Sequence, residues 1–265
     1  MILMKRTLSY FFCLLSLAAC SSEKLSQTSD AGYISVDLFA DMPTKAPVAL
    51  TDAEAGEYNI SILDADGNQA VYQAPDEKKG DFIPVMKYKD FETVTVEVGK
   101  SYSVTAESCT VQESEVGYGC ARFFGTSGLF ELNASNIYQK ADVVCSQTNA
   151  LVTVVFDSSV SGRFTGLQVT LVAGDRNLVV AESAEETPTY FSPADLAYTI
   201  TGIYSETGYE VEMSSVTPLS LEAKDNIRII VKLDLTHGQT MVPVLSVTEE
   251  YASETDVDYE IDPYL

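Results

Sequence analysis

Residues 93–107 read TVTVEVGKSYSVTAE, and their rhythm recurs along most of the chain. Val94, Val96 and Val98 fall on one face of an extended segment, because successive side chains of a strand point to opposite sides. Gly99-Lys100 interrupts the run, and Ser101–Glu107 (SYSVTAE) resumes it. A two-residue break with Gly first is a hairpin signal. Two strands joined by a tight turn are therefore expected here.

The alternation extends in both directions. Ile34, Val36, Leu38 and Ala40 share a face in 32–40, and Tyr58, Ile60 and Ile62 do so in 57–63. Further strands are expected at 121–125, 128–132, 141–145, 150–156, 167–173, 178–182, 198–204, 209–213, 219–223, 227–235, 243–248 and 257–261. Turn-forming clusters such as Asp64-Ala65-Asp66-Gly67-Asn68 and Ala173-Gly174-Asp175 separate the runs. No segment keeps a helical period, and short helices are expected only near 159–164 and 193–197. Many short strands at close spacing predict an all-β chain of two successive antiparallel β-sandwiches. The least patterned seam is 133–140 (NASNIYQK), which places an N-terminal sandwich at 32–136 and a C-terminal one at 137–265.

Composition narrows the function classes. The chain has 265 residues, 39 acids against 16 Lys and Arg, and a net charge of −23. Nucleic-acid binding needs a basic surface, so that class is excluded. A hydrophobic content of 46% excludes wholesale disorder. His237 is the one histidine, and it lies in Leu235–Gln239 without a nucleophile elbow. Histidine-based metal sites and Ser-His or Cys-His catalysis therefore lack partners. No catalytic residue, metal site or cofactor is expected. In Asp64–Asn68, Gly67 directly follows Asp66, which departs from the ligand order of a calcium loop and suits a turn. The acidic pairs Glu185-Glu186 and Glu249-Glu250 read as solvated surface.

The first residues form an address. Lys5 and Arg6 precede a short apolar run, and Leu17-Ala18-Ala19-Cys20 follows it. Small residues before a cysteine fit lipoprotein processing, in which 1–19 is removed and Cys20 is diacylated. Acyl chains contribute about 0.8 kcal/mol per buried CH₂, so two or three anchor firmly. Removal of Lys5 and Arg6 takes the charge from −23 to −25. Residues 20–31 form a polar, flexible tether. The expected location is the outer membrane, lipid-anchored and exposed at the cell surface.

Export places the remaining cysteines in an oxidising compartment. Cys109 and Cys120 flank a polar, Gly-containing stretch and are a candidate disulfide, closing about 12 residues for roughly 2–3 kcal/mol. Cys145 ends a strand and is expected to be buried as a small apolar residue. The one basic cluster, Lys78, Lys79, Lys87 and Lys89, is interleaved with Tyr72, Phe82, Tyr88 and Phe91. Aromatic and polar groups together suit a ligand loop, with Tyr72, Lys78, Lys79, Phe82 and Tyr88 as candidates. Residues 249–262 hold seven acids and no base, either as a protected edge strand or as a strand available for exchange.

These features add up to a likeness. Cys20 is followed by Gly32-Tyr33-Ile34-Ser35-Val36-Asp37, then by Tyr58–Ile62 with Asp64–Gly67, by Gly99–Ala106, by Phe124-Gly125 and by Cys145–Val154. The order resembles a family of Bacteroidales lipoproteins known as a numbered domain of unknown function. It is more distantly similar to the fimbrillin-type pilins and adhesins of those bacteria. The resemblance implies transthyretin-like sandwiches and a lipid-anchored precursor. In the pilin relatives, a protease cuts after an Arg beyond the first strand, and a strand of the next subunit fills the groove. Carried over, residues 32–40 would be the strand lost and 256–262 a second exchangeable strand. No Arg lies between Cys20 and Arg122, so Lys45 is the candidate maturation site, and an anchored monomer or assembly cap stays open. The resemblance implies a non-enzymatic, lipid-anchored envelope protein acting in adhesion or fimbrial assembly. Its partners would be the membrane through Cys20, other fimbrial subunits, or host and surface glycans. The alternative is a surface glycan- or nutrient-binding lipoprotein of an outer-membrane uptake system.

Overall fold

Apolar residues at every second position leave the backbone one economical arrangement, a sheet with one wet face. The computed structural model describes residues 31–41, 46–72, 80–182, 188–234 and 244–251, and there the chain is all-β. The first half comprises β1 (Ala31–Ala40), β2 (Val48–Ala49), α1 (Asp52–Ala55), β3 (Asn59–Asp64), β4 (Val71–Tyr72), β5 (Asp81–Phe82), β6 (Met86–Lys87), β7 (Val94–Glu97), β8 (Lys100–Glu107), α2 (Val111–Ser114), β9 (Phe123–Thr126), β10 (Phe130–Leu132) and β11 (Tyr138–Gln147). The second comprises β12 (Ala150–Phe156), β13 (Phe164–Ala173), β14 (Arg176–Ala181), β15 (Thr189–Phe191), β16 (Asp195–Tyr204), β17 (Glu210–Ser214), β18 (Leu219–Ser220), β19 (Asn226–Asp234) and β20 (Val244–Tyr251).

Each half has its own apolar core. In the first, Ile34, Val36 and Leu38 of β1 meet Ile60 and Ile62 of β3, Tyr102 and Val104 of β8, and Val143 and Cys145 of β11. The strand path β2-β1-β11-β9-β8-β3-β6 folds around them. In the second, the sheets β15-β12-β19-β20 and β14-β13-β16-β17 sandwich Val152, Val169, Ile200, Ile229 and their neighbours. Among the described strands, pairing is antiparallel apart from two junctions: β1 runs parallel to β11, and β12 runs parallel to β19.

Three expectations are corrected. The 93–107 stretch forms two strands but no hairpin. β7 pairs with β1, whereas β8 pairs with β3, β9 and β10. The edge of β8 beside the turn is already filled by β10, through Phe130↔Tyr102 and Leu132↔Lys100. The N–H of Gly99, at φ +87, donates to the Leu132 carbonyl. A left-handed residue here lets the chain step from one layer to the other. Secondly, the division at 136/137 lies too early. Residues 138–147, expected in the C-terminal sandwich, pair with β1 and bury Ala141, Val143 and Cys145 in the first core. The chain passes to the second core at Thr148-Asn149. Thirdly, 159–164 is turn leading into β13, and 193–197 leads directly into β16. The short helices stand instead at α1 and α2. Thr51/Glu54 and Thr110/Glu113 form capping boxes there, each Thr side chain accepting from the N3 N–H and each Glu reaching back to the cap.

Candidate functional site

β1 follows the expected tether directly and is the first strand of the first core. Gly32 is buried, and a Cβ there would stand 2.8 Å from Leu132 Cδ1. Ile34 is 0% exposed and Leu38 2%. Burying three such side chains, Ile34, Val36 and Leu38, contributes on the order of 5–9 kcal/mol. One edge of β1 pairs with β11 from Tyr33↔Tyr138 to Ala40↔Cys145. On the outer face Lys140 pairs with Asp37, and the Tyr138 hydroxyl lies 3.2 Å from Ser35 Oγ. The other edge is shared. β7 takes Ala31–Ile34, β2 takes Phe39 and Ala40, and the Leu50 N–H donates to the Leu38 carbonyl. Between them the Tyr88 hydroxyl donates to the Val36 carbonyl at 3.4 Å.

At its C-terminal end β1 meets the second half. The Asp41 carboxylate accepts from Lys224 Nζ at 2.7 Å and from Ser146 Oγ at 2.9 Å. The Lys224 bond, with Ser146 next, holds Asp41 below the ordinary carboxylate range. Lys224 itself has φ +71, a strained value for a side chain of its size, and its N–H donates to the Asn149 carbonyl. Asn149 is 2% exposed and uses both ends of its amide. It accepts from the Arg122 N–H and donates to the Cys120 carbonyl at 2.8 Å. The Arg122 guanidinium donates to Glu107, Thr148 and the Cys109 carbonyl. This polar seam, which joins the halves, gave no local sequence signal because its partners lie far apart along the chain.

The sequence-predicted residues separate into distinct groups. Cys109 and Cys120 are brought together, with Sγ atoms 2.8 Å apart. Burial, followed by the neighbouring Cys120 thiol, pushes Cys109 up to about 12. Cys145 is buried as expected, and burial pushes its thiol up to about 12. Tyr72 and Tyr88 pack against the first core instead of projecting from a loop. Phe82 alone of the candidate aromatics is mostly exposed, at 66%. Lys87 and Lys89 both engage Glu57, the latter at 2.5 Å. Asp64 Oδ1 accepts from the N–H groups of Asp66 and Asn68, each at 2.9 Å, which is the expected turn. Cys20, Lys45, Lys78, Lys79, His237, the paired acids Glu185-Glu186 and residues 256–262, expected as a strand, lie outside the described residues. No group of three or more potential metal ligands occurs among the described residues. No helix there is long and apolar enough to cross a membrane.

Comparison with solved structures finds low-identity neighbours of similar extent. The fimbrial anchor protein Mfa2 from Porphyromonas gingivalis is 12% identical with a TM-score of 0.44, over 82% of this chain and 96% of that one. A fimbrial assembly protein from Parabacteroides distasonis is 12% identical with a TM-score of 0.43, over 83% and 99%. No curated protein matches the chain. A family described as a domain of unknown function, DUF4493, matches residues 30–263, nearly all of the chain beyond the expected signal segment and tether. The chain belongs to the DUF4493 family.

Proposed function

We propose that this chain is a non-enzymatic, lipid-anchored envelope protein acting in adhesion or fimbrial assembly, with Cys20 as its anchor and β1 as its exchangeable strand. The observation that carries the reading is the position of β1. It is the first strand after the tether and supplies Ile34, Val36 and Leu38 to the core, yet only the short stretch 41–47 links it to β2. A single cut near Lys45 would sever β1 from the rest of the fold. An extended strand from a neighbour, apolar at alternate positions, matches the vacated place in backbone hydrogen bonding and in pockets. The thin inventory of catalytic groups in the sequence favours binding over chemistry.

Anchoring is tested by fractionation. Cys20→Ala is expected to move the protein from the membrane fraction to the soluble one. Retention of the variant in the membrane would overturn the anchor. Assembly predicts SDS-resistant ladders after cleavage between β1 and β2, and a cleaved chain that stays monomeric would contradict it.

A further inference from the structure

We propose that Cys109 and Cys120 form a disulfide that locks the intervening lobe as a clasp between the two cores. The lobe leaves the end of β8 and returns at β9. Its neck is already narrow, since the Ser108 N–H donates to the Phe123 carbonyl and the Phe123 N–H donates to Ser108 Oγ, each at 2.9 Å. The two sulfurs sit at this neck, 2.8 Å apart, so bond formation needs less than an ångström of approach. Inside the lobe, Thr110 caps α2 and Gly119 folds back at φ +79. A Cβ on Gly119 would stand 2.1 Å from the Ser114 carbonyl oxygen, so the return is built for glycine.

What the lobe touches gives the staple its consequence. The Tyr190 N–H of β15 donates to the Tyr118 carbonyl at 2.9 Å. Arg176 of β14 lies over the Phe191 ring at 4.4 Å, donates to the Tyr190 carbonyl, and reaches the Gly117 carbonyl at 2.6 Å. The Ser192 N–H donates to Glu115 at 3.3 Å. Asn149 fastens the Cys120 carbonyl from the start of the second half. The residues between the cysteines thus belong to the first half by sequence and dock on the second half by contact. A cross-link at the neck restricts the ways the lobe can open while leaving these contacts unchanged.

The chemistry balances with an external disulfide as oxidant, of the thiol–disulfide exchange class that operates outside the cytosol. The two cysteine S–H bonds break and one Sγ–Sγ bond forms. Two electrons and two protons pass to the oxidant, whose own disulfide becomes two thiols.

The test uses the purified full chain, first reduced and then equilibrated with glutathione disulfide, and reads the bond in the digested peptides, where the other cysteines do not enter. Mass spectrometry is expected to show a 109–120 cross-linked peptide two hydrogens lighter than its reduced parts. Hydrogen exchange at the N–H groups of Tyr190 and Ser192 is expected to slow by about tenfold or more on oxidation, because lobe opening is restricted. Exchange within β12 serves as the internal reference and is expected to stay unchanged. Cys109→Ser/Cys120→Ser is expected to exchange at the reduced rate under both conditions. Failure to form the 109–120 bond in the folded chain would overturn the proposal. A bond that forms without slowing Tyr190 and Ser192 would overturn it equally.

Discussion

The two halves solve the same problem with one shared device and one difference. In each, the first strand lies parallel to a late inner strand: β1 against β11 over eight registered pairs, and β12 against β19 over six. In the second half, the outer edge of β19 is then covered by β20 over eight pairs, from Ile227↔Tyr251 to Asp234↔Val244. In the first, β9 meets the outer edge of β11 only at Ser146 and Gln147. The two opening strands also enter differently. β12 follows β11 through a short turn pinned by the Thr148 N–H on the Arg122 carbonyl, whereas β1 follows the expected tether. Burial at alternate positions thus accompanies a strand continued by chain at both ends in one half, and in the other a strand that a single cut beyond its C-terminal end would separate from the strands that follow.

The largest effects should come from the cores. Ile34 and Ile227 are each 0% exposed, in the first and second cores. Replacing either with Ala should cost about 2–5 kcal/mol through lost burial and a residual cavity. Native-state hydrogen exchange should show the loss from Ile34→Ala in β3, β8 and β11, and the loss from Ile227→Ala in β12, β13 and β16. Equal losses across both halves for either variant would break the comparison.

The corner of the first half comes next. A Cβ on Gly125 would stand 2.3 Å from the Val144 carbonyl oxygen, whereas one on Gly128 would meet nothing within 4 Å. Gly125→Ala should destabilise by about 1–3 kcal/mol, because backbone must move to admit it. Gly128→Ala should be far milder. Chemical denaturation of the pair sharpens the claim that β9 closes β11 by close backbone approach. Similar midpoints would remove it.

At the seam, Asn149→Ala leaves the Arg122 N–H and the Cys120 carbonyl without their buried partner. About 1–3 kcal/mol is expected for such an orphaned group. Thermal unfolding followed separately by probes in each half should show the two transitions drawing apart. Transitions that shift together would argue that the halves are joined elsewhere.

The smallest effect concerns Asp41. Its carboxyl titrates below the unfolded value near 3.8, chiefly through Lys224. A lowered carboxylate stabilises the fold above the unfolded pKa, and the contribution fades as pH falls through the folded pKa. Both side chains are about a third exposed, so Asp41→Asn should cost less than about 1 kcal/mol near neutrality. Denaturation across the acidic range should show the gap between wild type and variant closing toward low pH. A constant gap would assign the loss to something other than the charge.

Much of the fold was legible because period two survives in nearly every strand. Ile34 through Ala40 and Ala150 through Phe156 announce themselves residue by residue. Partner choice was not legible. Val94–Val98 and Ser101–Glu107 look like neighbours, but the edge beside their turn belongs to β10, a segment thirty residues onward. The seam at 133–140 misled for a related reason. Tyr138, Lys140 and Asp142 are the wet face of β11, so the strand reads polar until Ala141, Val143 and Cys145 establish its inner face. The helices carried signals that alternation overshadowed, Thr51 with Glu54 and Thr110 with Glu113. Of the site residues, the approach of Cys109 to Cys120 was foreshadowed by their spacing. Tyr88 was not, because bonding to the Val36 carbonyl across 52 residues leaves no local trace.

Removal of β1 tests the central claim most directly. A specific protease site placed within residues 42–45 of the full chain would allow β1 to be cut free and the product examined by denaturing gel and electron microscopy. The account predicts release of the segment carrying β1 and association of the remaining chains into SDS-resistant ladders. A cleaved chain that keeps β1 bound, or loses it and stays monomeric, would contradict the account.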